Sequence, residues 1–374
     1  MNWREIREDK EELLSCYAAK ARNSIGRLAP EEQCTIRTAF ERDGNRILYS
    51  PEFRRLKHKT QVFFNAKNDH ICTRMEHVLN VASISSTIAR TLNLNQDLAY
   101  AISLGHDLGH APFGHTGERV INNCLKKINP KYEFHHEKHS LRVIDKLATR
   151  ISKNEMVHGL NLTYEVRDGI VSHCGEIFGE HRLKRDTSKN PEEIYSTNHR
   201  ERFPFTLEAC VVRLVDKIAY VGRDLEDAKR AGIISGNDIS GVLGDANSEI
   251  INTLVQDLVE NSFGKDSIEL STEKGEALKE LLNKNNEYIY RSPKIKSYEK
   301  NTMNMLEGIF ESLYEETADI EKMKSSKLKV FNNFYNYINE LDWRQETREQ
   351  LVVDYVAGMT DNYAMKCYEE LYWF

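Results

Sequence analysis

Nine of the thirteen histidines fall between positions 58 and 139. Imidazoles at that density beside aspartates are a donor set for divalent-metal or phosphate chemistry. The densest string is His106-Asp107-Leu108-Gly109-His110. His106 and His110 are i,i+4, so on an unbroken helix they would share a face about 6 Å apart, the spacing of the H-E-x-x-H zinc proteases. Here Asp stands in place of Glu, and Gly109 and Pro112 interrupt the helix that would have to present both ligands. The protease pattern is therefore not met.

The adjacent pair His106-Asp107 instead offers one nitrogen and one oxygen ligand from a single helix end. Such a pair needs a histidine from an earlier helix and a carboxylate from a later one. His77 sits on the preceding amphipathic stretch, and Asp216 closes the apolar run Cys210-Val211-Val212-Arg213-Leu214-Val215. A carboxylate in such a run needs a cation or hydrogen bonds to offset its desolvation. Two imidazoles and two carboxylates with coordination positions left open suit Mn²⁺, Fe²⁺ or Zn²⁺ better than Mg²⁺ alone.

The set His77, His106-Asp107 and Asp216 resembles the H…HD…D signature of the HD-domain metal-dependent phosphohydrolases. Longer strings narrow the resemblance. Residues 53–63 (FRRLKHKTQVF), Thr73-Arg74-Met75-Glu76-His77, residues 106–115 (HDLGHAPFGH) and Asp216-Lys217-Ile218-Ala219-Tyr220 occur in order. Together they resemble the deoxynucleoside triphosphate triphosphohydrolases, from about Ser24 to Ile233 and more weakly at Tyr290-Arg291-Ser292-Pro293.

That resemblance implies an all-α HD core that hydrolyses a 2′-deoxynucleoside 5′-triphosphate to the deoxynucleoside and inorganic triphosphate. It implies that His77, His106, Asp107 and Asp216 hold a divalent metal, Mn²⁺ or Mg²⁺, with Fe²⁺, Co²⁺, Ni²⁺ or Zn²⁺ as other occupants. His115 and Glu118 match its catalytic pair and are i,i+3, so Glu118 can orient an imidazole that handles a proton. Arg74, His110, His136 and Lys217 match positions that contact the triphosphate. His136 lies in Phe134-His135-His136-Glu137-Lys138-His139-Ser140, similar to an F-x-H-x-x-x-S segment, whereas His135 and His139 match nothing and are expected at the surface. Tyr220 and Asp224 match residues at the sugar 3′-hydroxyl, one and two helical turns beyond Asp216, and Gln61 and Val62 match residues beside the deoxyribose and base. In two places the pattern departs: Arg42-Asp43-Gly44-Asn45-Arg46 replaces a longer alternation of arginine and aspartate, and Arg223 stands where relatives often have histidine.

The elements that must position these residues read as helices. Residues 75–92 have apolar positions near helical spacing, and the next helix, through LAYAISLGHDL, is expected to close at Gly109. Further helices are expected from about Thr116, over 137–151 and 162–175, from Thr206 to about Ala231, and over 248–263, 272–291 and 295–318. Two or three more are expected in 322–372. Asp43-Gly44-Asn45 and Ser50-Pro51 read as turns, and no strand is bounded convincingly. Expected organisation is a catalytic core over 1–235 with a basic N-terminal segment, then an all-α, phosphohydrolase-associated region over 236–374.

Composition agrees and sets limits. The chain of 374 residues has 40% hydrophobic and 29% charged residues, which excludes wholesale disorder. With 7 prolines and 19 glycines it is not turn-rich β. Lys+Arg 52 against Asp+Glu 58 gives −6, so its surface as a whole does not seek nucleic acid. Between Thr35 and Lys67, however, eight cations face only Glu41, Asp43 and Glu52, an excess that points to an anionic ligand. Seven scattered cysteines without C-x-x-C fit a reducing compartment. The charged N-terminus and the lack of an apolar run of ~18 residues lead us to expect a cytoplasmic chain with no membrane partner. The resemblance implies a homo-oligomer and leaves a dNTP effector open. Arg/Lys-rich stretches at 35–67 and 182–202 leave single-stranded nucleic acid open as a partner. The C-terminal YEELYWF reads either as an oligomer face or as a helix packed on its own chain. Two rivals stand beside this reading: another HD-type nucleotide phosphohydrolase (5′-nucleotidase or phosphodiesterase), and a catalytically silent dNTP- or nucleic-acid-binding regulator.

Overall fold

The computed structural model describes residues 2–62, 71–152, 154–174, 181–234, 241–340 and 345–373. The fold is all-α, as expected. In chain order the helices are α1 (Trp3–Glu11), α2 (Ala39–Tyr49), α3 (Pro51–Arg55), α4 (Arg74–Thr91), α5 (Gln96–Gly105), α6 (Gly114–Ile128), α7 (His136–Arg142), α8 (Tyr164–Val171), α9 (Leu207–Arg230), α10 (Asn247–Ser262) and α11 (Thr272–Lys284). After them come α12 (Pro293–Glu316), α13 (Ile320–Lys324), α14 (Lys329–Glu340), α15 (Arg348–Gly358) and α16 (Asp361–Tyr372). No helix among the described residues is long and apolar enough to cross a membrane.

Local chemistry explains the helices that matter most. Thr73 and Glu76 form a reciprocal capping box at the start of α4, which places Arg74 and His77 in its first turn. Asn95 caps α5 and Thr206 caps α9, each accepting backbone N–H bonds. α9 ends before Gly232, whose φ of +63° is a left-handed stop as expected. The helices pack into two main cores. In one, α4, α5 and α9 pack on one another, with α2 and α8 on α5 and α10 and α11 on α9. In the other, α12, α14, α15 and α16 close over the inner face of α6. The expected boundary near residue 235 lies outside the described residues.

Several expectations are corrected. Asp43-Gly44-Asn45 lies inside α2, because Thr38 and Glu41 cap that helix and Gly44 faces Tyr100 and Ala101 of α5. The region expected as a helix over 137–151 runs as α7, then a wide π turn at Val143–Leu147, then a strand. Among the described residues four short strands do exist: β1 (Thr149–Ser152) pairs antiparallel with β2 (Glu155–His158), and β3 (Arg182–Leu183) with β4 (Ile268–Glu269). The stretch 322–372 carries three helices and the end of a fourth. The C-terminal helix packs on its own chain, with Tyr372 Oη donating to Gly308 O of α12 at 3.1 Å.

Gly109 does not close α5, which ends at Gly105. It is the point where the loop after α5 meets α7. Its N–H donates to Ser140 Oγ, Ser140 Oγ donates to His106 O, and His139 Nδ1 donates to Gly109 O. A Cβ at position 109 would collide with the backbone of Ser140 and His136. Gly109→Ala is therefore expected to destabilise the chain by about 3 kcal/mol or more, read by thermal melting. An unchanged melting temperature would contradict this packing.

Candidate metal centre and adjoining cavity

Four ligand-bearing residues from three helices converge. His77 comes from the first turn of α4, His106 and Asp107 follow the end of α5, and Asp216 comes from the middle of α9. His77 Nε2 lies 2.9 Å from Asp216 Oδ1 and 3.9 Å from Asp107 Oδ2, and His106 Nε2 lies 3.7 Å and 3.6 Å from the same two oxygens. His106 Nδ1 donates to Ser103 O at 2.7 Å, which leaves Nε2 as the nitrogen with a lone pair. That nitrogen is buried and has no hydrogen-bond partner. Burial raises a carboxylate, yet the neighbouring imidazoles hold Asp216 well below the usual carboxylate range, and His106 with Arg74 does the same for Asp107. Such a set can hold a divalent cation: it has two imidazoles, two ionised carboxylates and an orphaned lone pair.

The other expected residues divide in two. Beside the cluster a cavity of about 410 Å³ opens, and Gln61, Val62, His115, Lys217, Tyr220 and Asp224 line it. Tyr220 stands 6.5 Å, ring to ring, from His77. Arg74, His110 and His136 are buried away from that lining. Arg74 Nη1 donates to Asp107 Oδ2 at 2.6 Å. His110 stacks on His136 with ring centroids 3.9 Å apart, and burial holds its imidazole well below its ordinary pKa.

His115 and Glu118 sit in the first turn of α6. Phe113 and Gly114 both have left-handed backbone, φ +60° and +59°, so the chain turns sharply before the helix starts. Asp361, at the start of α16, accepts from Phe113 N and Thr60 N at 2.9 Å each and so ties this turn down. His115 is exposed, and its Nδ1 is 3.5 Å from Glu118 Oε2. Glu118 also receives His136 Nδ1 at 3.0 Å and His136 N at 3.2 Å. Although Glu118 is mostly buried, His136 and His115 hold it ionised.

Sequence reasoning missed the far wall of the cavity. Asn286, Tyr290, Lys294, Ile295 and Tyr298 come from the segment around α12. Tyr290 Oη donates to Asp224 Oδ2. The Tyr290-Arg291-Ser292-Pro293 string was the one signal, since Ser292 caps α12 and Pro293 occupies its first turn. His139 is not at the surface: it is buried, with Nε2 3.4 Å from Asp354 Oδ1. Part of the basic segment is neutralised internally, with Arg55 meeting Glu52. Arg27, Arg42 and Arg46 meet Glu31, and Asp43 is buried against Arg27 and Thr163. In 182–202, Arg182, Arg185, Lys189, Arg200 and Arg202 all pair with carboxylates. Lys67 and Phe63 lie outside the described residues.

This fold, with its H…HD…D cluster, defines an HD-domain protein. The HD domain family matches residues 74–221, and the phosphohydrolase-associated domain matches residues 268–370. The deoxyguanosinetriphosphate triphosphohydrolase-like protein of Caldanaerobacter subterraneus subsp. tengcongensis is 40% identical over 100% of this chain and 96% of its own. Proteins of the same description from Clostridium perfringens and Desulfatibacillum aliphaticivorans are 37% and 36% identical, each over 100% of this chain and 98% of their own. The chain belongs to the deoxyguanosinetriphosphate triphosphohydrolase-like family of HD-domain hydrolases.

Burial pushes Asp224 up to about 7, against the lowering effect of the Tyr290 bond. Its native form therefore keeps a proton that the unfolded chain has lost, and wild-type stability falls as pH rises from about 4 to about 7. Asp224→Asn lacks this loss. The melting temperature of the variant minus that of wild type is expected to increase between about pH 5 and about pH 8. A pH-independent difference would contradict the assignment.

Proposed function

We propose that this protein hydrolyses a 2′-deoxynucleoside 5′-triphosphate, of the dGTP kind or more broadly, to the deoxynucleoside and inorganic triphosphate, with water attacking the α-phosphorus. The observation that carries the reading is the juxtaposition of the His77, His106, Asp107 and Asp216 cluster with a cavity lined by both polar and apolar side chains. Lys217 and His115 are among its polar lining, and Ile71, Ile233 and Ile295 form an apolar cluster in it. A divalent cation held by the four ligands, Mn²⁺ or Mg²⁺ with Fe²⁺, Co²⁺, Ni²⁺ or Zn²⁺ as alternatives, would supply phosphate polarisation and an acidified water.

The chain's own residues do the rest. Glu118 fixes the proton on Nδ1 of His115, so its Nε2 can deliver a proton to the departing 5′-oxygen. Lys217 offers charge to the triphosphate, and Arg74 and His110 reinforce it from behind, Arg74 by sharing itself between Asp107 and phosphate. Both ring nitrogens of His136 face Glu118 and Cys174, so its part is to hold Glu118. Tyr220 and Asp224 meet the sugar 3′-hydroxyl, with Tyr290 bonded to Asp224, while Gln61 and Val62 flank the deoxyribose and base. The reading brings with it a homo-oligomer and a second dNTP as effector.

The test is anion-exchange analysis of products from all four dNTPs, singly and mixed, with Mn²⁺. Triphosphate is expected; orthophosphate or pyrophosphate as the first product would overturn the reaction. His106→Ala and Asp107→Ala should abolish turnover through metal loss. His115→Ala should retain metal and lose about 100-fold or more in kcat. Near wild-type kcat in that variant would refute the role of His115.

A further inference from the structure

Next to the H…HD…D cluster lies a second group of donors, of which only His136 touches the proposed reaction, through Glu118. Cys174 Sγ is 3.1 Å from His136 Nε2 and 3.3 Å from His173 Nε2, and the three side chains are buried. His173 and Cys174 follow the end of α8, and His136 opens α7. The other nitrogen of each ring is committed. His136 Nδ1 faces the Glu118 carboxylate at 3.0 Å, and His173 Nδ1 faces Ile170 O at 2.6 Å. Both of those partners only accept, so both Nδ1 atoms carry the proton.

In neutral rings, then, both Nε2 lone pairs point at one sulfur. A thiol has a single proton and can satisfy one of them. The remaining lone pair must take up a proton, which the Glu118 carboxylate favours at His136, or meet a metal cation. Imidazoles held from the far side by a carboxylate and by a backbone carbonyl are also what metal-ligating histidines show. Bond lengths of about 2.0 Å to nitrogen and 2.3 Å to sulfur put tetrahedral donors roughly 3.5 Å apart. The observed separations are close to that, and all three donor atoms lie within 4.8 Å of one another.

We propose that His136, His173 and Cys174 form a second metal site, selective for a thiophilic divalent cation of the Zn²⁺ class. On binding, the Cys174 thiol gives its proton to solvent and the thiolate becomes a ligand, while the two imidazoles bind through Nε2. The site is distinct in its residues from the H…HD…D cluster yet adjacent to it, since the rings of His173 and His106 are 5.0 Å apart. It would also fix His136, and through it Glu118. The inference does not depend on which nucleotide the enzyme hydrolyses.

The experiment uses the full chain, stripped with chelator and reloaded with Co²⁺ as an optical probe. Expected are two ions per chain by elemental analysis, and a thiolate-to-Co²⁺ charge-transfer band in the near ultraviolet. Cys174→Ser should lose the band and one ion. His106→Ala should lose an ion and keep the band, which separates this site from the other. His173→Gln provides a second variant in case Cys174→Ser does not fold. A single ion in the wild type with no thiolate band would overturn the proposal, as would a band that survives in Cys174→Ser and His173→Gln.

Discussion

A buried imidazole nitrogen without a partner governs this structure. His106 Nε2 is fully enclosed, its ring locked by the Ser103 carbonyl, and two carboxylate oxygens lie within 4 Å of it. Burying such groups is costly unless charge is compensated. In the chain alone, Arg74 compensates Asp107 and His77 compensates Asp216. That pairing is incomplete at His106, and the missing interaction has the character of a cation. Three helices must hold their relative positions for this to be so, and α4, α5 and α9 pack directly on one another.

The C-terminal helices do more than enlarge the core. Asp361 fixes the left-handed turn that launches α6, and the buried Lys59 ammonium bridges His110 O and Ala357 O. Arg142 and His139 meet Asp354 on α15. The loop between α5 and α6 is thus clamped from behind by residues some 250 positions later in the chain. Reactive groups on a loop are useful only when a rigid frame holds them to within a fraction of an ångström. The same region contributes Tyr290 and its neighbours to the cavity wall, so pocket and clamp share one scaffold.

Much of the site was legible because its residues carry rare signals: a histidine-aspartate pair, an aspartate in an apolar run, and a His-Glu spacing after a Pro-Phe-Gly turn. Thr206 likewise announced the start of α9, whereas the caps Thr73 and Asn95 were not read as such. What escaped depends on tertiary context. Gly109 looked like a helix end, but its lack of a Cβ serves the approach of α7. The arginines of 35–67 looked like an anion site, but Glu31 folds onto Arg42 and Arg46. His139 looked superficial because nothing local foretells a contact with Asp354. His173 and Cys174 carry no motif, and only folding brings them to His136.

The claim at the centre is that His106 Nε2 and its neighbours are built around a divalent cation. Its most direct test is equilibrium Mn²⁺ binding to the chelator-stripped wild-type chain and to His106→Ala, followed by thermal melting of both. Wild type should bind Mn²⁺ and melt at a higher temperature with it, because a ligand specific to the native state stabilises by mass action. The variant should do neither. Equal uptake and equal melting shifts in the two proteins would contradict the account.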